Sequence, residues 1–164
     1  VKKIKFDIYG NPTPYEFIFL SLEELEYNFL SQFDTSCTRK NILAGYKAYC
    51  NDLLCLVKSN VEQWIGGSFT TAKINPNDID ISTIIDVDLI ENPSIATAIK
   101  KFITKGESKN TYLVDGYIIP KCAKGSPYYD YCMDVYNYWS SFWRRDRQDM
   151  PRGIIVRNII YETN

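Results

Sequence analysis

The chain has 164 residues, 19 Lys+Arg against 20 Asp+Glu, a formal net charge of -1 and no histidine. That length suits one domain with a full hydrophobic core. The missing imidazole excludes Ser-His-Asp and Cys-His sites, His-ligated zinc and histidine acid–base catalysis within the chain, and balanced charge argues against nucleic-acid binding driven by bulk electrostatics.

The start, Val1-Lys2-Lys3-Ile4-Lys5, is basic, but no apolar run follows, so it does not read as a secretory signal. Phe6 to Phe19 carries Tyr9-Gly10-Asn11-Pro12 and Pro14, which predicts an extended arm with turns. Ser21 with Glu24 three residues on fits a capping box and predicts a helix to about Gln32. From Thr38 to about Lys58 the apolar residues Ile42, Leu43, Tyr46, Tyr49, Cys50, Leu53, Leu54 and Val57 fall at helical spacing. Arg39, Lys40, Lys47, Asn51 and Asp52 take the opposite, polar face. Val61 to Ile65 reads as a strand that breaks at Gly66-Gly67-Ser68, and Ile79 to Ile85 as a β-branched strand.

Asn92-Pro93-Ser94 opens a helix to about Thr104, and Lys105 to Asn110 reads as a polar loop. Thr111 to Ile119 is the third predicted strand. Tyr128, Tyr131, Val135, Tyr138, Trp139 and Phe142 form a helical aromatic stripe over 128–145, read as core more readily than as a base-stacking platform. A charged loop leads to a last strand, Gly153 to Tyr161. The five cysteines, an odd number without C-x-x-C spacing, argue against a disulfide framework or structural zinc and for reduced thiols in a cytoplasmic protein, with Cys50 and Cys55 as core fillers. No run approaches the roughly 18 apolar residues of a membrane span, so no membrane partner is expected.

The chemistry concentrates in Gly66-Gly67-Ser68, nine further residues, and Asp78-Ile79-Asp80. Glycines permit close backbone approach, and a helix start at Ser68 would aim free N–H groups at a phosphate. Asp78 and Asp80, two apart on a strand, leave the same face. Paired carboxylates repel unless a cation sits between them, and Mg²⁺ favours a few carboxylates plus substrate phosphates. Asp78, Asp80, Asp86, Asp88 and Glu91 come without an intervening Lys or Arg, which invites an external cation.

An apolar strand, Gly-Gly-Ser, a short spacer and Asp-x-Asp on a β-branched strand resemble the signature of the DNA polymerase β-like nucleotidyltransferase superfamily. That likeness covers about residues 61–86. A longer one, over most of the chain, is to a group of short bacterial nucleotidyltransferase-like proteins. It rests on Phe6-Asp7-x-Tyr-Gly-Asn-Pro, on Gly67 to Asp80, on Tyr138-Trp139 and on Asp146-Arg147 before Pro151-Arg152-Gly153-Ile154.

The resemblance implies a third acid on a neighbouring strand, for which Asp115 is the candidate. Asp115-Gly116 also reads as a hairpin turn. Lys73 is either a γ-phosphate ligand or a solvated loop lysine. Arg144, Arg145, Arg147 and Arg152 either bind phosphates or a polynucleotide acceptor, or form a charged loop.

The expected fold is α/β (α+β): a small mixed, twisted sheet of the polymerase β-like kind, with strands near 61–66, 78–87, 111–119 and 153–161. Helices near 38–58, 93–104 and 128–145 would lie mainly on one face. A single domain over 1–164 would comprise an arm with a short helix (1–37), wrapping the helices, and a core (38–164). The expected activity is transfer of an NMP from an NTP such as ATP to an unknown acceptor hydroxyl on RNA, protein or a small molecule. Asp78, Asp80 and Asp115 would hold Mg²⁺ or Mn²⁺, Gly66, Gly67, Ser68 and Lys73 would bind the nucleotide phosphates, and Asp115 would act as base. The alternative is a non-catalytic nucleotide-binding or interaction module, such as one partner of a toxin–antitoxin or phage-defence pair, with a protein partner supplying what so short a chain lacks.

Overall fold

The computed structural model describes residues 1–104 and 106–162. A two-stranded ribbon opens the chain, with β1 (Lys5–Phe6) antiparallel to β2 (Pro12–Thr13). β3 (Phe17–Phe19) then enters the main sheet beside β7 (Ile154–Ile159). With β4 (Val61–Gly66), β5 (Ile79–Asp86) and β6 (Val114–Lys121) they form a five-stranded sheet in the order β3-β7-β4-β5-β6. It is mixed: β3 runs parallel to β7 and β5 to β6, while β4 is antiparallel to both its neighbours.

The N-terminal segment departs from its reading as an arm wrapped around helices. Residues 17–19 pair with the far end of the chain, and Ile18, Leu20, Leu25 and Phe29 join the main core. Pro12 and Pro14 hid a strand too short to show alternation. Ser21 caps α1 (Leu22–Glu26) in the predicted box, its hydroxyl accepting from the Glu24 N–H and Glu24 accepting from the Ser21 N–H. The helix continues as a π turn over Tyr27–Ser31. There the buried Asn28 amide donates to the Glu24 and Lys2 carbonyls, tying the chain start to this helix.

α2 (Arg39–Val57) buries the predicted stripe, but two of its residues stand where spacing did not put them. Cys55 is exposed, whereas Arg39, assigned to the polar face, is wholly buried. Between β5 and β6 the chain makes α3 (Val87–Glu91), α4 (Pro93–Ala98), α5 (Lys100–Ile103) and α6 (Glu107–Tyr112). The single helix expected over 93–104 is therefore broken in two. The loop expected over 105–110 is largely helix α6, with Lys105 outside the described residues, and Thr111 and Tyr112 end that helix instead of starting β6.

The expectation of helices mainly on one face is corrected. Strand residues 79, 81 and 85 pack in the cluster built on α2, while Ile84 packs with Trp64, Ile119 and Val156 in a second cluster. That second cluster holds Trp143 of α7 (Tyr129–Trp143), so helices cover both faces. Strands buried on both sides carry near-continuous apolar runs, as β7 does over Ile154, Ile155 and Val156, whereas β5 is buried on both sides with Ser82 and Thr83 among its apolar residues. Along α7 the buried side is Cys132, Val135, Tyr136, Trp139 and Trp143, and the predicted stripe at Tyr128, Tyr131, Tyr138 and Phe142 is exposed.

Candidate active site

Three strands bring the expected acids and glycines to one place. Gly66, the last residue of β4, stands opposite Asp80 in antiparallel register. On the other side of β5, Asp80 is level with Asp115 of β6 in parallel register. Neighbouring strands lie about 4.8 Å apart, so the two carboxylates leave one face side by side. That face is the one covered by α7, because Ile79 and Ile81 point the other way, into the α2 core. Asp115 lies inside an eight-residue strand, which removes its reading as a hairpin turn.

Gly67 turns the chain with φ +65° and ψ -165°, a conformation that is essentially restricted to glycine. A Cβ there would fall on Asp80 Oδ2, so the Asp80 carboxylate lies directly against this turn. Gly66 is also obligatory, since the Trp143 ring of α7 occupies the space a side chain would need. Trp143 in turn donates its indole N–H to Ser82 Oγ at 2.7 Å, which fixes α7 over β5.

Burial, with Asp78 and Asp115 nearby, pushes the Asp80 carboxyl up to about 6, while Arg152 and Arg147 pull against this. Tyr117 follows Asp115 by two residues on the same face, and its hydroxyl donates to Asp115 Oδ2 at 3.2 Å. The Tyr117 ring packs on Trp139 of α7, with centroids 4.6 Å apart. Arg152 is buried behind the Gly67 turn, donating to the Gly67 carbonyl at 3.1 Å and to Thr70 Oγ1 at 2.5 Å.

Asp78 differs from its expected role. Lys109 Nζ of α6 sits 2.5 Å from Asp78 Oδ2, and the three acids together hold the Lys109 ammonium in its charged form. The acidic run that lacked counter-charges in sequence therefore receives one through the fold. Among the described residues, no three Asp, Glu or Cys side chains are grouped to hold a metal ion. Carboxylate oxygens are nevertheless the donors Mg²⁺ takes, and the Asp80–Asp115 pair carries repulsion that a divalent cation would relieve.

A family of unknown function, DUF6932, matches residues 4–157. The chain belongs to this family. No curated protein matches the chain, and no solved structure does. The family's span runs from the N-terminal ribbon into β7 and includes every residue of the site.

Other predicted residues fall at the margin of this cluster. Ser68 opens a three-residue 3₁₀ turn, too short for a sizeable dipole, and its carbonyl accepts from the Thr71 N–H and hydroxyl. Lys73 is exposed, and its carbonyl accepts from Arg39. Sequence reasoning missed Tyr117, Lys109 and Arg39. Tyr117 was within reach through the i, i+2 rule once Asp115 was taken as a strand residue. Lys109 and Arg39 meet the site only through tertiary packing and had no local signal. No described helix is long and apolar enough to cross a membrane.

Proposed function

We propose that the chain is a nucleotidyltransferase of the polymerase β-like kind, moving an NMP from an NTP to an acceptor hydroxyl. The observation that carries this reading is the alignment of Gly66, Asp80 and Asp115 across three strands, with the Asp80 carboxylate against the Gly67 turn. Asp80 and Asp115 would hold Mg²⁺ or Mn²⁺, joined by Asp78 when Lys109 gives it up. Bound there, the metal would supply neutralisation of charge on the transferring phosphate. Asp115 takes the proton of the acceptor hydroxyl, since no histidine is present and Tyr117 orients that carboxylate. Trp139 and Trp143 wall the site on the α7 side and limit water there.

The test uses each labelled NTP with Mg²⁺ and cell lysate, reading label transfer and pyrophosphate release. Asp80→Asn and Asp115→Asn are expected to lower turnover at least 100-fold while leaving the thermal melt unchanged. A double Asn variant with unaltered turnover would sink the proposal.

A second reading, a nucleotide-binding or interaction module, is favoured by one observation, the Lys109 ammonium held on Asp78. It predicts binding of NTP without pyrophosphate release, with or without a protein partner. Lys109→Ala separates the readings: a transferase would gain or keep turnover, and a module would stay silent.

A further inference from the structure

Beside the acid cluster, on the far side of Arg152, lies a cavity of about 350 Å³. Tyr15, Ser141, Arg144, Arg145, Pro151 and Arg152 line it, three arginines and no carboxylate. Its walls come from the segment before β3, the C-terminal end of α7 and, after a short loop, the residues before β7.

The positive charge there is poorly neutralised. Neither Arg144 nor Arg152 makes an ion pair among the described residues. Arg145 pairs with Asp149 at 3.3 Å, but that carboxylate is 82% exposed, and such surface pairs contribute little. Arg144 stacks over the Phe17 ring at 4.9 Å and reaches the Tyr15 carbonyl only at 3.5 Å. Arg152 is only 5% exposed, and its buried Nε has no hydrogen-bond partner among the described residues. A buried cationic N–H without an acceptor is costly, and an anion in the cavity would offset that cost. Desolvation already lowers the pKa of Arg152, with Asp80 and Asp146 as the acids that oppose the shift. Asp146 is held by Asn11 Nδ2 at 2.8 Å and by backbone N–H groups, so it is not free to turn inward.

We propose that this cavity is a binding site for the phosphate group of a nucleotide or polynucleotide ligand. Phosphate is favoured over carboxylate by geometry. Arginines set on two walls, Arg144 and Arg145 on one and Arg152 on the other, match oxygens that point in several directions, whereas a flat carboxylate is satisfied by one fork. The volume exceeds a bare phosphate, and the Tyr15 ring, its hydroxyl engaged by Asp7 at 2.9 Å, offers a face for an attached sugar or base. The site does not rest on the transferase reading. It adjoins that cluster through Arg152, which donates to the Gly67 carbonyl while lining the cavity.

Calorimetry on the full chain tests it, with inorganic phosphate, ATP·Mg²⁺ and a 5′-phosphorylated oligonucleotide as probes. The double variant Arg144→Gln/Arg145→Gln spares the buried Arg152 and so keeps the fold, as a thermal melt would verify. Binding of at least one probe is expected, weakened tenfold or more in this variant, and binding of the metal-free probes, phosphate and oligonucleotide, is retained in Asp80→Asn. Tighter ATP·Mg²⁺ would identify a nucleoside triphosphate as the source, and a tighter oligonucleotide, losing affinity steeply with added salt, a polynucleotide backbone. No binding of any probe, or equal binding by the double variant, overturns the proposal. Turnover lost in Asp80→Asn with phosphate binding intact keeps the two readings apart.

Discussion

Gly67 and Arg39 show how single residues set the candidate site. The Gly67 backbone occupies a region open essentially to glycine, and the Asp80 carboxylate fills the space of its missing side chain. Gly67→Ala is expected to cost about 1–3 kcal/mol from the backbone alone and to displace Asp80 as well. Urea unfolding reads the first effect, and the second is read by NTP turnover if the proposed transferase function holds. Arg39 has no acid partner among the described residues. Its guanidinium donates instead to the carbonyls of Phe29, Phe69, Thr71, Lys73 and Ile74, and it stacks on the Phe33 ring at 3.8 Å. One side chain thus ties the whole spacer between the glycine turn and Asp78 to α2. An ammonium has three donors and no fork, so Arg39→Lys leaves buried carbonyls unpaired and should destabilise by at least about 3 kcal/mol. Denaturant titration checks this. The glycine turn and the strand that carries Asp80 were legible because their signals are local. Arg39 was not, because a helix wheel places a charged residue outward unless a distant loop supplies its acceptors.

Among the elements, α7 and α6 were misread for different reasons. Aromatic spacing located α7 but mixed its two sides: Val135 and Trp139 of the predicted stripe pack on the sheet, while Tyr128, Tyr131, Tyr138 and Phe142 are exposed. Only the sheet, by offering Gly66 and Ser82, decides that Trp143 faces inward. Trp143→Ala is therefore expected to cost about 3–5 kcal/mol. Phe142→Ala, 51% exposed, should cost at most about 1 kcal/mol. The reverse order in thermal melts would place α7 in the other register. α6 was taken as a loop because Glu107 to Asn110 is polar. Its buried anchors are Ser108 and Tyr112, and Tyr112 gains a place through stacking on Phe102 and a 2.7 Å bond to Asp52 of α2. A short helix with one apolar residue carries no periodicity to read.

For the molecule as a whole, the closing contact is between its two ends. β3 supplies the edge beyond β7, and Leu20 N–H continues the pairing to the Val156 carbonyl at 3.0 Å. Removing residues 1–20 would strip this edge, expose the backbone of β7 and uncover Trp64, on which Phe17 packs at 5.0 Å. The truncated chain is expected to lose its cooperative melt and to aggregate by light scattering, as an open strand edge does. A soluble, cooperative truncation would show that β3 is an accessory. Local pattern in the sequence was enough for the capping box, α2 and the extents of β4 and β5, because each rests on spacing within a few residues. The missing histidine likewise removed imidazole chemistry from the chain and left carboxylates, Lys, Tyr, Cys, backbone dipoles or an oxygen-ligated metal. The partner of Asp78, the level placing of Asp115, the burial of Arg39 and the arginine-lined cavity were decided only in three dimensions. Each depends on which strand lies beside which, and that order is set by burying apolar faces across the whole chain, not by any segment alone.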